Sequence, residues 1–408
     1  MNKRSAVLLA ALTLVVGACG GDKPKAATST PSSGASAQTV TIALGGPFSG
    51  SSKATGDEIR SGAKVAADEV NGAGGIAGGP LKGAKIAFKE FDDAGLPANG
   101  ASNMRTILDD SNLVAFVGSG ISDVSVAMAP LASQAGFPYL SSYASSPKIL
   151  DAATAQKSVF VVPPTFPAYA FSVTDILLKD GHTKPAIIHG TGTYGDGVTD
   201  LVVSRLKAKN ITPVANETFA FTDTDFRTQL AKIKSAGPDS LIIVGLANVD
   251  ALILKQADEL GLKVPSYDPG GVTNSDKFLK DAGALANGLV GNTPTYSARN
   301  TDATNSLRAA YTKATGESVV PDPAVFSYEG VRAVAAALAD GATGRKDLAD
   351  HLHTISIADT GVGPLRFGAD GSRIGGRLYV FRVTNGQPVY FTSFEQTGPQ
   401  EVKEVPLG

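Results

Sequence analysis

The sequence predicts an α/β protein of two doubly wound lobes, each a mostly parallel sheet covered by helices on both faces. Three observations predict it. Short apolar, β-rich runs alternate with helical segments of a dozen or so residues along most of the chain, the pattern of parallel strands joined by crossover helices. The alternation starts afresh after Pro163 and Pro164. Finally, 408 residues that are 43% hydrophobic and 18% charged supply ample core for two domains.

The first residues read as something other than fold. MNKR gives a positive start, Ser5 to Val16 an apolar run too short to span a membrane comfortably, and Gly17 and Ala18 small residues before a cleavage point. Residues 1–18 are thus expected to be an export signal. Cys19, the only cysteine, follows directly in the context VGAC-GG, which resembles the lipobox of bacterial lipoproteins; the alternative is a secretory signal with a chance cysteine in it. With that thiol lipidated, the mature chain has no disulfide and depends on its core. Residues 19–38, with the run DKPKAATSTPSSGASAQ, are rich in Ser, Thr, Pro and Ala and predict a disordered tether.

From there the elements follow in order. TVTIALG (Thr39 to Gly45) reads as a buried strand, and Gly56 to Asn71 as a helix with apolar residues at Ile59, Ala63, Val65, Ala66 and Val70. Strand AKIAFKEF, a helix from Pro97 to Asp110, strand LVAFVG, a helix from Asp123 to Gln134 and strand FPYLSS complete the first series. The second runs through a helix from Phe166 to Lys179, strand PAIIHG, a helix from Asp196 to Lys209, strand VANETF, a helix from Asp225 to Ser235, strand SLIIVG and a helix from Val249 to Leu260. Arg377 to Phe391 departs from this pattern: two alternating runs around Asn385-Gly386 predict a β-hairpin with a type I′ turn.

The most informative loop is VGSGISD, Val117 to Asp123. It lies at the carboxyl end of a strand and enters a helix, where open α/β sheets bind ligands. Free N–H groups and the positive end of the helix dipole suit a small anion such as a carboxylate, and serine hydroxyls add donors. The bland alternative is that Ser119 and Ser122 only cap the helix. A dinucleotide reading fails because Asp123 replaces the third glycine and would repel a pyrophosphate.

Other classes fare worse. A net charge of −2 without a basic run offers nothing to nucleic acid, and the absence of Trp disfavours stacking platforms. No phosphate-loop, nucleophile-elbow, H-E-x-x-H or C-x-x-C motif occurs. His351 and His353, two apart in a helix, face different directions, and Asp92-Asp93 reads as a turn. No enzyme activity, metal or cofactor is expected.

The order of GGPFSG, RSGAKVAADEVNGAGGIAGGPL, FDDAGLP, FVGSGISD, FPYLSSYASSP, HGTGTYGDG, DSLIIVG and GPLRFGADGSR resembles the extracytoplasmic solute-binding proteins of the branched-chain amino acid type, which serve ABC importers. The resemblance covers nearly everything after residue 39. It implies the type I periplasmic-binding-protein fold, with three crossovers joining lobe 1 (39–164 with 295–375) to lobe 2 (165–294 with 376–408) and a ligand held between them. It also implies roles for particular residues. Ser122 falls where relatives bind a ligand carboxylate, with Ser119 beside it; Ser145 is the next loop's hydroxyl, Tyr143 gives backbone contact, and Tyr194 closes from the second lobe. Thr55 and Leu246 stand where relatives often carry aromatic residues. Gly270 stands where amino acid binders carry the glutamate that pairs with the ligand ammonium; Asp268, two residues earlier, is the possible substitute. The expected solute is therefore a branched-chain amino acid or a related small carboxylate or amide, and the reading prefers one without a primary ammonium at the usual place. The expected protein is a monomer anchored to the cell membrane through Cys19, with an ABC permease and ATPase complex as partner. The alternative is a sensor domain of the same fold that signals ligand to a partner.

Overall fold

The structure is a computed structural model and describes residues 38–153, 157–296, 299–398 and 401–407. The expected export signal, Cys19 and the tether up to residue 37 lie outside the described residues. Residues 37–408 form one compact unit.

The first sheet contains β1 (Thr39–Gly46), β2 (Lys85–Asp92), β3 (Leu113–Gly118), β4 (Tyr139–Ser141) and β5 (Val159–Val161), all parallel, in the order β2-β1-β3-β4-β5. The chain climbs between them through α1 (Lys53–Gly72), α2 (Pro97–Asp109), α3 (Ser122–Gln134) and the short α4 (Lys148–Asp151). Side-chain alternation builds two cores from the same strands. Ile42, Leu44, Val117 and Leu140 pack on the α1 side, whereas Ala43, Phe116 and Tyr139 pack on the α3 side with Val124 and Met128.

The second body begins with α5 (Phe166–Lys179) and continues as β6 (Pro185–Gly190), α6 (Thr193–Lys207), β7 (Ala215–Phe219), α7 (Arg227–Ser235), β8 (Ser240–Val244), α8 (Ala247–Glu259), β9 (Ser266–Asp268), α9 (Asp276–Ala282) and β10 (Val290–Thr293). Its parallel strands run β7-β6-β8-β9-β10, the strand order of the first sheet repeated. The expected helix from Asp196 starts earlier, at Thr193, because Gly192, at φ 112°, turns the chain and the Asp196 carboxylate accepts the Gly192 N–H (3.1 Å) from within the first turn.

After β10 the chain returns to the first body as α10 (Asp302–Thr315), α11 (Asp322–Asp340) and α12 (Leu348–Thr354), and Leu307, Phe326, Val334 and Leu348 share one core with Ile42 and Ile59. Gly62 permits this approach, since a Cβ there would stand 1.9 Å from Ala324 O. The small pair β11 (Arg366–Phe367) and β12 (Arg373–Ile374) precedes β13 (Arg377–Thr384), β14 (Gln387–Gly398) and β15 (Glu401–Val405), which extend the second sheet antiparallel beside β10. The β13–β14 turn has Asn385 at φ 52° and Gly386 at φ 73°, as a type I′ turn requires.

The chain therefore passes between the bodies three times, after β5, after β10 and after β12. A buried ion pair ties these passages together. Arg373, 4% exposed, donates to both oxygens of the fully buried Glu329 on α11 (2.6 and 3.0 Å), and also to Val162 O (3.0 Å) and Pro364 O (2.8 Å). Gln396 holds Thr165 through the Thr165 N–H and hydroxyl. Removing one member of a buried pair of this kind costs several kcal/mol, because the other is left uncompensated.

Candidate functional site

In each parallel sheet the strand order reverses at the first strand, β1 or β6, and an open α/β sheet has its crevice outside the carboxyl end at such a point. The two points face each other across a cavity of about 270 Å³, lined from both bodies.

The first body contributes hydroxyls. Gly118, at φ 150°, lets β3 end against β1, for a Cβ there would lie 2.2 Å from Gly45 O. Ser119 follows at φ 33° and is fully buried, its hydroxyl directed at Ile121 O (3.4 Å). Ser119 therefore lies behind the cavity and not on it. The residue preceding α3 is Ile121, and no side chain caps that helix. The capping reading of Ser119 and Ser122 is thus corrected: the first-turn N–H groups of α3 are left for an external partner. Ser122 lines the cavity at 6% exposure and Ser145 at 8%, with Tyr143 between their loops. Among the described residues the hydroxyls of Ser122, Tyr143 and Ser145 have no hydrogen-bond partner. Thr55 stands one layer back, its methyl 2.9 Å from where a Cβ on Gly120 would be.

The second body contributes rings. Tyr194 lies edge-on to Phe166 with centroids 5.7 Å apart and 6.1 Å from Phe221, and its hydroxyl donates to Gly245 O (3.2 Å). Leu246 and Gly270 complete this wall. A Cβ on Gly270 would lie 2.0 Å from the Tyr194 hydroxyl and 3.0 Å from Asp268 Oδ1, so an acid at position 270 and Tyr194 in its present place exclude each other. Asp268 is fully buried and occupied by its own loop: it accepts from Gly270 N–H (2.7 Å), Val272 N–H (3.1 Å), Thr273 N–H (3.0 Å) and the Thr273 hydroxyl (2.7 Å). Burial pushes its pKa up, and the loop donors oppose that shift. Asp250, buried behind it with neither oxygen partnered, is pushed well above the carboxylate range by burial and then by Asp268.

Two carboxylates were not singled out by the sequence. Asp123 sits at the cavity edge and bridges the bodies, accepting from the Thr193 N–H (3.2 Å) and the Thr193 hydroxyl. Asp322, the first residue of α11, lines the cavity at 9% exposure. Its Oδ1 accepts from the hydroxyls of Thr293 (3.2 Å) and Thr295 (3.4 Å), and burial pushes it up to about 7. In the sequence, the stretch PDPAVF gives only a helix start, an acid between prolines. Phe166, Tyr169 and Phe221 were likewise not picked out, since the start of α5 and the loop after β7 come together only in the folded second body. The lining contains no Lys, Arg, His or Cys among the described residues. Among the described residues no group of three or more His, Cys, Asp or Glu side chains is placed to hold a metal, and no helix is long and apolar enough to cross a membrane.

A family model described as periplasmic binding protein matches residues 39–388. A Leu/Ile/Val-binding protein homolog from Brucella melitensis is 27% identical over 355 residues, covering 86% of this chain and 93% of its own. A branched-chain amino acid substrate-binding protein from Streptococcus pneumoniae, solved with isoleucine, superposes with a TM-score of 0.75 at 23% identity, covering 90% of this chain and 99% of its own. An ABC-transporter solute-binding protein from Rhodopseudomonas palustris, solved with 3,4-dihydroxy benzoic acid, gives 0.78 at 22% identity, with 88% and 98% covered. With the repeated strand order, the three passages and the match along most of its length, the chain belongs to the periplasmic binding protein family.

Proposed function

We propose that the chain is the extracytoplasmic solute-binding component of an ABC importer, anchored through Cys19 and carrying a small carboxylic acid between two lobes, 39–164 with 295–375 and 165–294 with 376–408. One observation carries this reading. The carboxyl-end loops of both sheets converge on one cavity, which offers an anion the uncapped N-terminus of α3 and the unpartnered hydroxyls of Ser122 and Ser145. A carboxylate is the group shared by the ligands of the two solved neighbours, isoleucine in one and a dihydroxybenzoic acid in the other. Of those two classes, the site favours the acid without an α-ammonium. Gly270 supplies no acid, and Asp268 is held by four donors of its own loop. An ammonium seated at the Gly270 wall therefore meets no free acid there, and a buried ammonium left without a partner costs several kcal/mol. Binding without chemistry suits a lining that brings no nucleophile and base together.

The test is a thermal-shift and calorimetric screen of the unit from Ala37 onward against aliphatic, aromatic and amino acids, each beside its amide. A carboxylic acid at a hundredfold its Kd stabilises by about 2.7 kcal/mol, and Ser122→Ala should weaken it about tenfold. Tightest binding of a free amino acid, lost on deamination, would contradict the proposed class. Binding indifferent to Ser122 would show that the carboxylate is held elsewhere.

A further inference from the structure

Asp322 enters the cavity from the opposite side to Ser122. α3 packs on one face of the first sheet and α11 on the other, so their N-termini reach the carboxyl edge from two directions. Ser122 lies toward the Asp123–Thr193 bridge, and Asp322 lies against Thr293 and Thr295 on the passage after β10. A ligand whose carboxylate meets α3 therefore directs its far end toward Asp322.

What that end meets can be counted. Both threonine hydroxyls reach Asp322 through Oδ1, and Oδ2 has no partner among the described residues. The hydroxyls of Tyr143 and Tyr169 are also unpartnered, and Asp322 is the charge that acts most strongly on both. Of the other carboxylates, Asp268 is held through both oxygens by its loop, and Asp123 accepts from Thr193 through Oδ1 at the opposite end of the cavity, beside Ser122. One free carboxylate oxygen beside two phenols is what a single hydroxyl requires, as donor to the first and acceptor from the others. Between the two ends the walls are ring faces and edges, with Tyr143, Phe166, Tyr169, Tyr194 and Phe221 all lining the cavity, which suits a planar ring.

We propose that Asp322 forms a subsite for one hydrogen-bond donor, and that the preferred solute is an aromatic carboxylic acid with a ring hydroxyl remote from its carboxylate. This rests on the carboxylate-binding reading above.

The test is calorimetric titration of the unit from Ala37 onward with benzoate, para-hydroxybenzoate, para-methoxybenzoate, para-(aminomethyl)benzoate and leucine, in wild type, Asp322→Asn, Asp322→Ala and Ser122→Ala. The expected result is that wild type binds para-hydroxybenzoate about tenfold or more tighter than benzoate or the methoxy analogue. In both Asp322 variants that ratio falls to near one. Because each ratio is read within one protein, a general loss of stability does not mimic the effect. Equal binding of benzoate and its hydroxy derivative, survival of the preference in the Asp322 variants, or tightest binding of the aminomethyl acid or leucine would overturn the proposal. Ser122→Ala separates the two failures. Acids that depend on Ser122 and ignore Asp322 refute only the subsite, whereas acids that ignore both show the carboxylate site itself to be misplaced.

Discussion

The β9 loop of the second body and the start of α11 in the first each place a buried aspartate beside the cavity, and they do different jobs. Asp268 accepts four hydrogen bonds from the five residues after it, so both its oxygens belong to the loop they shape. Asp322 accepts two, both on one oxygen, and lines the cavity. Both are buried aspartates; the partner inventory separates an acid that builds a wall from one that faces a ligand. The same distinction divides the hydroxyls, since that of Tyr194 donates to Gly245 O whereas that of Ser122 has no partner among the described residues.

The comparison is broken most severely by removing the acid that builds. Asp268→Ala strands three backbone N–H groups and a hydroxyl, and should destabilise the second body by about 3 kcal/mol or more. Its unfolding midpoint in urea should fall accordingly. A midpoint within error of wild type would mean that Asp268 does not hold its loop.

Asp322 should respond in the opposite direction. Its folded pKa, about 7, lies above the ordinary value of 3.8, so between these pH values the folded state holds a proton that the unfolded state has lost. Stability must then fall as pH rises through that window. Asp322→Asn, which never carries the charge, should match wild type near pH 4 and grow more stable relative to it up to about pH 7, by on the order of 4 kcal/mol, then level off. Glu58 on α1, also pushed up to about 7 by burial and then Glu317, together with Tyr143 and Tyr169, faces Asp322 and is present in both proteins, so it cancels to first order. A difference independent of pH, measured by paired urea titrations, would remove Asp322 from the set of titrating groups.

The hydroxyl pair gives the smaller effects. Ser122→Ala should weaken carboxylate binding about tenfold with the fold intact. Tyr194→Phe, which removes a hydroxyl bonded within its own body and leaves the ring against Phe166, should cost on the order of 1 kcal/mol of stability and weaken binding less than Ser122→Ala does. Calorimetry and thermal melts on the two variants check the order; a reversed order in binding would mean that the Tyr194 hydroxyl turns to the ligand.

Much of this was legible in the sequence because local patterning carried it. The alternating runs gave both parallel sheets, Asn385-Gly386 gave the hairpin turn, and the loops after β3, β4, β6 and β8 hold most of the expected site residues. What escaped depended on geometry that periodicity does not encode. Ser119, one turn of backbone from Ser122, is rotated inward by a φ of 33°, and Thr55 is shielded by Gly120. Asp322 reaches the cavity only because the chain leaves the first body, builds most of the second and comes back, and no run of residues near PDP carries that return. The role of Asp268 depends on where three following N–H groups point, which the letters PSYDPGGV leave open.

The most direct measurement is a crystal structure of the unit from Ala37 onward grown with the tightest acid from the screen. The account predicts the carboxylate at the first turn of α3 within hydrogen-bond distance of Ser122 and Ser145, the body of the ligand among the rings of Tyr143, Tyr169 and Tyr194, and its far end toward Asp322. Ligand seated instead in the separate cavity of about 180 Å³ bordered by Tyr296 and Tyr390, or with its carboxylate turned away from α3, would contradict it.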